Sequence, residues 1–148
     1  MIRRTPCIGI CSTTYGDLVC RGCKRFAHEI VGWNAYEQAQ RDVVWARLLS
    51  LRAGATGHLL EIVEFSILFA ASPPPGATEA DPYLVAYEAI RRHAGTRKPA
   101  VPLLGRLGLR LRDPGFIGAV EDLLMRIDQE FYQRSLAQYE RNFRTPAR

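Results

Sequence analysis

Lysine is scarce in this 148-residue chain, which has two lysines and 18 arginines, and cysteine is absent after residue 23. The sequence also lacks a glycine-rich phosphate loop, a nucleophile elbow and a pair of acids at a catalytic spacing, so the enzyme classes that depend on these motifs have no support. Its longest apolar stretch, residues 59 to 71, is interrupted by Glu61 and Glu64 and is too short for a membrane-spanning helix. We therefore expect a non-enzymatic protein that does not contact a membrane.

What the sequence does contain is a group of four cysteines, Cys7, Cys11, Cys20 and Cys23. They form two close pairs, Cys7-x3-Cys11 and Cys20-x2-Cys23, with eight residues between the pairs. In tetrahedral metal sites each such pair supplies two ligands, so the spacing predicts one site with four thiolate ligands. Two disulfides are an alternative, but the chain begins Met-Ile-Arg-Arg-Thr-Pro without the apolar run of a signal peptide. We expect a cytoplasmic protein with reduced thiols.

The residues around the cysteines support such a site. Gly9 and Gly22 lie where a chain that folds around a metal needs left-handed backbone or close approach of amide groups to sulfur. The sequence Tyr-Gly-Asp at residues 15 to 17 predicts a turn, and with it a small hairpin or knuckle. Cations beside thiolates lower the pKa of the thiols and offset the negative charge of the thiolates. A solvated basic face is an equally weighted alternative for these cations. The cations at this position are Arg21, Lys24 and Arg25.

A family resemblance follows from this segment. The runs Pro-Cys-Ile-Gly-Ile-Cys at residues 6 to 11 and Val-Cys-Arg-Gly-Cys-Lys-Arg at residues 19 to 25, with Gly16, Glu29-Ile30 and Trp33, resemble small bacterial proteins called domain of unknown function 1289. The similarity continues through residues 40 to 44 to Leu48. Phe26 departs from a usual small hydroxyl residue and Gln40 from a usual acid, but neither is an expected ligand. Members are often labelled predicted Fe-S proteins, so the resemblance implies a metal cluster without assigning a biological role.

Ligand chemistry limits the identity of the metal. Four thiolates suit structural Zn²⁺, an iron-sulfur cluster or a single tetrahedral iron. The closely spaced cysteine runs of ferredoxins are absent and the two-pair arrangement is the commoner zinc layout, so we favour zinc and keep an iron-sulfur cluster as the alternative. The three histidines show no metal-ligand spacing. A dithiol oxidoreductase at Cys20-x-x-Cys23 is a third hypothesis, but the βαβ pattern that should accompany it is not visible.

The expected fold is mainly α, with a small four-cysteine knuckle packed on a helical hairpin and additional C-terminal helices. Residues 23 to 33 predict a short helix with Trp33 as a core anchor. Asn34 as N-cap, with Glu37 three residues later, predicts a second helix over residues 35 to 52 that Gly54 ends. Its expected buried face contains Tyr36, Gln40, Val43, Val44, Leu48 and Leu51. We expect residues 1–53 to form the metal-binding domain and residues 54–148 a mostly helical extension.

Several helices are predicted within that extension. Residues 58 to 71 fit either a strand or a buried helix, and we favour the helix. The proline-rich residues 72 to 80 predict a loop. Asp81-Pro82 predicts a helix over residues 83 to 93 with Leu84, Tyr87 and Ile90 on one face. Asp113-Pro114 gives the same signal for a long helix to about residue 141. Its expected core residues are Phe116, Val120, Leu123, Leu124, Ile127 and Phe131, and residues 144–148 should fray.

Charge is the remaining indication of a partner. Eight basic residues stand against four acidic ones in residues 1–53, two against five in residues 54–95, and ten against six in residues 96–148. Arginine suits bidentate phosphate contact, but an arginine-rich, lysine-poor composition also follows from a GC-rich genome. We expect a protein partner first. Nucleic acid or ribosome binding is the alternative, through Arg21, Lys24, Arg25, Arg106, Arg110 and Arg112.

Overall fold

The computed structural model describes residues 5–73 and 81–143, and this part of the chain is mainly helical. Its α-helices are α1 (Ala27–Gly32), α2 (Gln38–Leu59), α3 (Phe65–Ala71), α4 (Pro82–Arg91), α5 (Ala100–Arg106) and α6 (Val120–Phe143). Two short strands, β1 (Leu60–Ile62) and β2 (Leu109–Leu111), form an antiparallel pair. The mainly α class is confirmed, whereas the small sheet has no counterpart in the predicted elements. None of the described helices combines the length and apolar character that crossing a membrane requires.

The chain divides into two compact units. The first contains the described residues up to Leu51 together with those from Phe131 onward, and the second spans Arg52–Glu130. The end of α6 therefore joins the cysteine-containing segment, which no local pattern in the sequence indicates. The division into a metal-binding domain at residues 1–53 and a helical extension at residues 54–148 stays a prediction.

Helix α2 differs from its predicted bounds at both ends. The carbonyl of Glu37 accepts from the backbone N–H groups of Gln40 and Arg41, so the helix begins at Gln38, and Asn34 lies in a 3-10 turn, Trp33–Ala35. The stop at Gly54 is wrong, since the helix continues to Leu59. The residues beside Gly54 that are buried are Ala53, Ala55 and Thr56. Burial of these side chains outweighs the roughly 1 kcal/mol by which glycine weakens a helix interior. Of the expected buried face, Val44 and Leu48 are buried, but Val43 is exposed.

The stretch over residues 58 to 71 is not one helix, and that prediction is wrong for its middle part. After the end of α2 it forms β1, which pairs Leu60 with Leu111 and Ile62 with Leu109, and only then α3. Gly108 makes the turn before β2 possible. Its φ is +73°, and a Cβ there would lie 2.5 Å from the carbonyl oxygen of Glu64. Most of the predicted proline-rich loop, residues 74–80, lies outside the described residues.

The Asp81-Pro82 signal is confirmed, because Asp81 accepts from the backbone N–H of Tyr83 at 2.8 Å and α4 begins at Pro82. Its buried face consists of Val85, Ala86, Ala89 and Ile90, so the predicted face was right only for Ile90.

Asp113-Pro114 does not begin a helix. Asp113 instead accepts from the backbone N–H of Gly115 in a turn, and α6 begins at Val120. The predicted core residues of this segment are buried except Leu124, and α6 extends to Phe143, close to the predicted end near residue 141. The predicted fraying of residues 144–148 lies outside the described residues.

Candidate metal centre

The second cysteine pair lies in a tight loop within the first unit. The backbone N–H of Cys20 donates to the carbonyl of Arg25 at 2.9 Å, and that of Lys24 to the carbonyl of Cys20 at 2.8 Å. An antiparallel bridge between Val19 and Phe26 closes the loop. Lys24 has a φ of 66°, which lets the chain reverse directly after Cys23. Because residues 20 to 25 form this loop, α1 begins at Ala27 and not at residue 23 as predicted.

Backbone amides surround the sulfur of Cys20. The side chain is almost fully buried, with 1% of its residue surface exposed. Burial opposes ionisation, but hydrogen bonds from the backbone N–H groups of Cys23, Ser12 and Gly22, and from the side chain of Cys23, outweigh it and lower the pKa of Cys20 to about 7. A buried sulfur with several amide donors is a good environment for a thiolate ligand.

Cys23 occupies a different environment. Burial raises the pKa of its thiol, although the guanidinium of Arg25 opposes this by donating from Nε to Sγ at 3.3 Å. The negative charge of Cys20 also disfavours ionisation of Cys23. One thiol of the pair is therefore prepared for ionisation, and the other needs a further positive charge to ionise.

The first pair is half-buried. The Sγ of Cys11 lies 2.9 Å from the hydroxyl of Thr13, and this hydrogen bond lowers the pKa of Cys11. The Sγ of Cys7 accepts from the backbone N–H of Gly9, at 3.3 Å, and Gly9 adopts the predicted left-handed backbone with a φ of +93°. The predicted turn at residues 15 to 17 follows as a 3-10 turn, Ser12–Tyr15, ended by Gly16.

Contacts join the two cysteine loops. The hydroxyl of Ser12 accepts from the backbone N–H of Arg21 at 2.8 Å, and the Sγ of Cys20 lies 3.5 Å from the carbonyl oxygen of Ile10. The charge of Cys20 acts on the pKa of both Cys11 and Cys23. All four cysteines are free thiols. Within residues 5–73 and 81–143, no three His, Cys, Asp or Glu side chains are arranged to hold a metal ion, so the four-ligand site stays a prediction. The donor chemistry and the amide groups around Cys20 fit a thiolate-bound metal.

Gly22 is required by the contact between the two loops. A Cβ at this position would lie 2.7 Å from the carbonyl oxygen of Ile10 and 3.0 Å from the side chain of Ile8. The Gly22→Ala variant should therefore lose about 1–3 kcal/mol of unfolding free energy, measured by urea denaturation. Gly105→Ala is the matched control, since a Cβ there meets nothing within 4 Å and the residue lies in α5. Equal stabilities of the two variants would contradict the close approach.

The titration of Cys20 gives a second prediction. Its folded-state pKa lies below the ordinary thiol value of 9.0, so ionisation of Cys20 stabilises the fold above pH 9 and this contribution is lost as the pH falls through about 7. In metal-free protein under reductant, ultraviolet thiolate absorbance should show a step near pH 7 that Cys20→Ser removes. A step that persists in this variant would show that another thiol is the acidic one.

The three cations near the second pair have different roles. Lys24 is buried, donates from Nζ to the carbonyl of Gly22 at 3.0 Å and lies 5.3 Å from the ring centroid of Phe131. Arg25 is also buried, with its guanidinium 4.8 Å from the ring centroid of Trp33. Both are therefore inaccessible to a phosphate backbone. Arg21 is exposed and paired with Asp17 at 3.2 Å, so for this residue the alternative of a solvated basic face applies.

A buried ion pair between Glu29 and Arg47, which was not predicted from the sequence, stabilises the loop of residues 20 to 25. The carboxylate of Glu29 accepts from the backbone N–H of Phe26 at 2.8 Å and from the Nη2 of Arg47 at 2.6 Å. The guanidinium of Arg47 also lies 3.9 Å from the ring centroid of Phe26. The acid three residues after Phe26, at the start of α1, was the available signal. Arg47 lies 18 residues farther along the chain, where no local pattern connects it to Glu29.

The other predicted nucleic-acid contacts lie in the second unit. Arg110 pairs with Glu61 at 2.6 Å. Arg112 donates to the carbonyl of Gly57 at 2.8 Å and to the hydroxyl of Tyr83 at 3.2 Å. Arg106 is exposed at the end of α5. Internal partners of Arg110 and Arg112 reduce their capacity to bind phosphate.

Comparison with known proteins identifies one family. The model of a family described as a protein of unknown function (DUF1289) matches residues 5–52, which confirms the family resemblance over this segment. No curated protein and no solved structure matches the chain.

Proposed function

We propose that the chain is a non-enzymatic interaction or regulatory protein whose first unit binds one structural Zn²⁺ through Cys7, Cys11, Cys20 and Cys23. The environment of Cys20 carries this proposal. A buried sulfur surrounded by amide donors is suited to a metal-bound thiolate, because the amides share the charge that remains on the sulfur. When bound, zinc would cross-link the two cysteine loops and contribute to folding.

Side chains of this chain complete the proposed site. Arg25 neutralises part of the charge at Cys23 through its 3.3 Å hydrogen bond, and its stacking on Trp33 fixes the guanidinium in place. The close approach of the two loops at Gly22 supports a site to which both loops contribute ligands. Closed coordination by four thiolates leaves no position for a substrate, which favours a structural role over catalysis.

A protein partner is supported by exposed apolar side chains on the cysteine loops. Ile10 is 67% exposed and Tyr15 is 91% exposed, and Ile8 and Leu18 are also exposed. Exposed large apolar side chains on these loops support a contact with another protein. The burial of Lys24 and Arg25 and the internal partners of Arg110 and Arg112 count against the nucleic-acid or ribosome alternative. We place the protein in the cytoplasm, where thiols stay reduced.

An iron-sulfur cluster with an electron-transfer or redox-sensing role is the second candidate. The observation that favours it is the same set of N–H groups at the Cys20 sulfur, because hydrogen bonds to sulfur also tune the reduction potential of such clusters.

Reconstitution separates the two candidates. Chelator-treated, reduced protein is titrated with Zn²⁺, and separately with ferrous iron and sulfide under anaerobic conditions. The zinc proposal predicts tight one-to-one zinc binding without visible absorption, and weakened binding in Cys23→Ser. A brown product with stoichiometric iron and sulfide, combined with weak zinc binding, would establish the second candidate instead.

A further inference from the structure

A groove of about 520 Å³ lies beside the small sheet of the second unit. Its lining residues come from the segment that enters α3, from α5 and from β2. Val63, Ile67 and Val101 line the groove and are 51%, 44% and 56% exposed, whereas Leu104 and Leu109, which also line it, are buried. Cavities that bind ligands have volumes of about 300–1,000 Å³ and mainly apolar linings. Both properties are present here.

The groove runs along one edge of the sheet. All three residues of β2, Leu109–Leu111, line it. Successive side chains of a strand point to opposite faces of the sheet. A cavity that touches three successive residues therefore lies at the edge of the strand and not over one of its faces. The sheet has two strands, so no further strand among the described residues covers the edge of β2 that faces away from β1.

The register of the two strands shows which backbone groups point toward that edge. The N–H of Arg112 donates to the carbonyl of Leu59 at 3.0 Å, which makes these residues a hydrogen-bonded pair. Bonded and non-bonded pairs alternate in an antiparallel ladder, so the N–H and C=O groups of Leu109 and Leu111 point away from β1. In the part of the chain that the structure describes, these groups have no hydrogen-bond partner. They can therefore pair with another extended backbone.

The charges at the groove favour a basic ligand. Arg110 lines the groove but pairs with Glu61 at 2.6 Å. Asp113 lies 4.0 Å from the guanidinium of Arg126, which is too far for a hydrogen bond. Glu64 forms no ion pair with any described residue. Three carboxylates thus stand against two guanidinium groups, and the carboxylate of Glu64 is available to a cation.

We propose that the edge of β2 and this groove bind an extended peptide segment of a partner protein, in which apolar and polar side chains alternate and one side chain is lysine or arginine. The backbone of this peptide pairs with Leu109 and Leu111 as a third strand, and its apolar side chains enter the groove. Its basic side chain pairs with Glu64. A helical segment uses its own N–H groups internally and would leave the strand edge unpaired. This site lies in the second unit and does not depend on the metal proposal.

The test begins with a selection from a random heptapeptide library displayed on phage, with the full-length protein as the target. We expect enriched peptides with apolar residues at alternate positions and at least one lysine or arginine. Val101→Lys places a charge in the groove and should abolish the enrichment. Ile117→Lys is the matched control, because Ile117 is 96% exposed and lies outside the groove lining, so this variant should enrich the same peptides.

A selected peptide then distinguishes strand addition from apolar contact alone. At a peptide concentration of about ten times Kd, hydrogen exchange of the Leu109 and Leu111 amides should slow by about tenfold. Methylation of every second peptide nitrogen should abolish binding in one register and preserve it in the other, because only alternate N–H groups of an added strand face β2. Glu64→Gln should weaken binding by about threefold, the effect of one exposed ion pair. It should not change the affinity of the same peptide with norleucine in place of its basic residue.

The proposal fails if the protein enriches no peptides beyond those recovered with Val101→Lys, or if the enriched peptides are acidic. Equal effects of methylation in the two registers would show that no strand is added. A dimer that forms without peptide, protects the Leu109 and Leu111 amides and dissociates in Val101→Lys would assign the edge to a second copy of this chain instead. Circular dichroism verifies the fold of each variant, and the methylated peptides test the site in the unmodified protein.

Discussion

The Cys20→Ser variant is expected to lose stoichiometric metal and several kcal/mol of unfolding free energy. Serine cannot replace a thiolate as a zinc ligand, and the energy of metal binding contributes to folding. It also removes a sulfur that accepts three backbone N–H groups in a buried position. For a chain of this size the midpoint of thermal unfolding should fall by about 10 °C. Calorimetry with metal analysis of the same samples measures both effects.

Chelation separates the metal contribution from the packing of the sulfur. If zinc carries the loss, the difference between Cys20→Ser and the unmodified protein should shrink when both are studied metal-free. An equal difference with and without chelator would mean that the hydrogen bonds at Cys20, and not a metal, provide the stability.

The second large effect is expected at the buried ion pair of Glu29 and Arg47. Glu29→Gln keeps an oxygen for the backbone N–H of Phe26 but leaves the guanidinium of Arg47 without its counter-charge. The Glu29 side chain is 7% exposed and that of Arg47 is 14% exposed, so water compensates little. Breaking such a pair costs roughly 3–5 kcal/mol. Urea denaturation of the metal-free proteins measures the cost independently of the site.

An identical substitution elsewhere serves as the control. Glu88 pairs with Arg91 at 2.9 Å, but both side chains are about half exposed. Glu88→Gln should therefore change the free energy of unfolding by less than about 1 kcal/mol. The double variant Glu29→Gln/Arg47→Met should recover part of the loss, because it removes the unpaired charge. A Glu29→Gln cost no larger than that of Glu88→Gln would mean that solvent reaches this pair.

Local signals in the sequence predicted an element correctly where residues adjacent in the chain determine the conformation. Asp81 and Pro82 fix the start of α4 through one side-chain hydrogen bond and one restricted φ angle, and both are short-range effects. Asp113 and Pro114 carry the same signal, but the aspartate is used in a turn. The glycine stop at Gly54 failed for a related reason, since burial of the neighbouring residues is decided by tertiary contacts that no local window contains.

The candidate site shows the same limit. Cysteine spacing, Gly9 and Gly22 mark the two loops. Gly9 meets a local backbone requirement, a φ of +93°, whereas Gly22 allows the close approach of Ile10. Whether Lys24 and Arg25 face solvent or the interior depends on Phe131 and Trp33, which lie outside their own loop. Arg47, which contacts Phe26 at the end of the cysteine loop, likewise comes from the middle of α2. The cysteines could therefore be identified from the sequence, but the side chains that pack around them could not.

The most direct test of the four-cysteine site is metal analysis of freshly purified, anaerobically prepared protein, combined with thiol alkylation under native conditions. We expect a colourless protein with one zinc per chain and with Cys7, Cys11, Cys20 and Cys23 all protected until chelator is added. Protein without stoichiometric metal, in which Cys7 and Cys11 react freely before chelation, would contradict it.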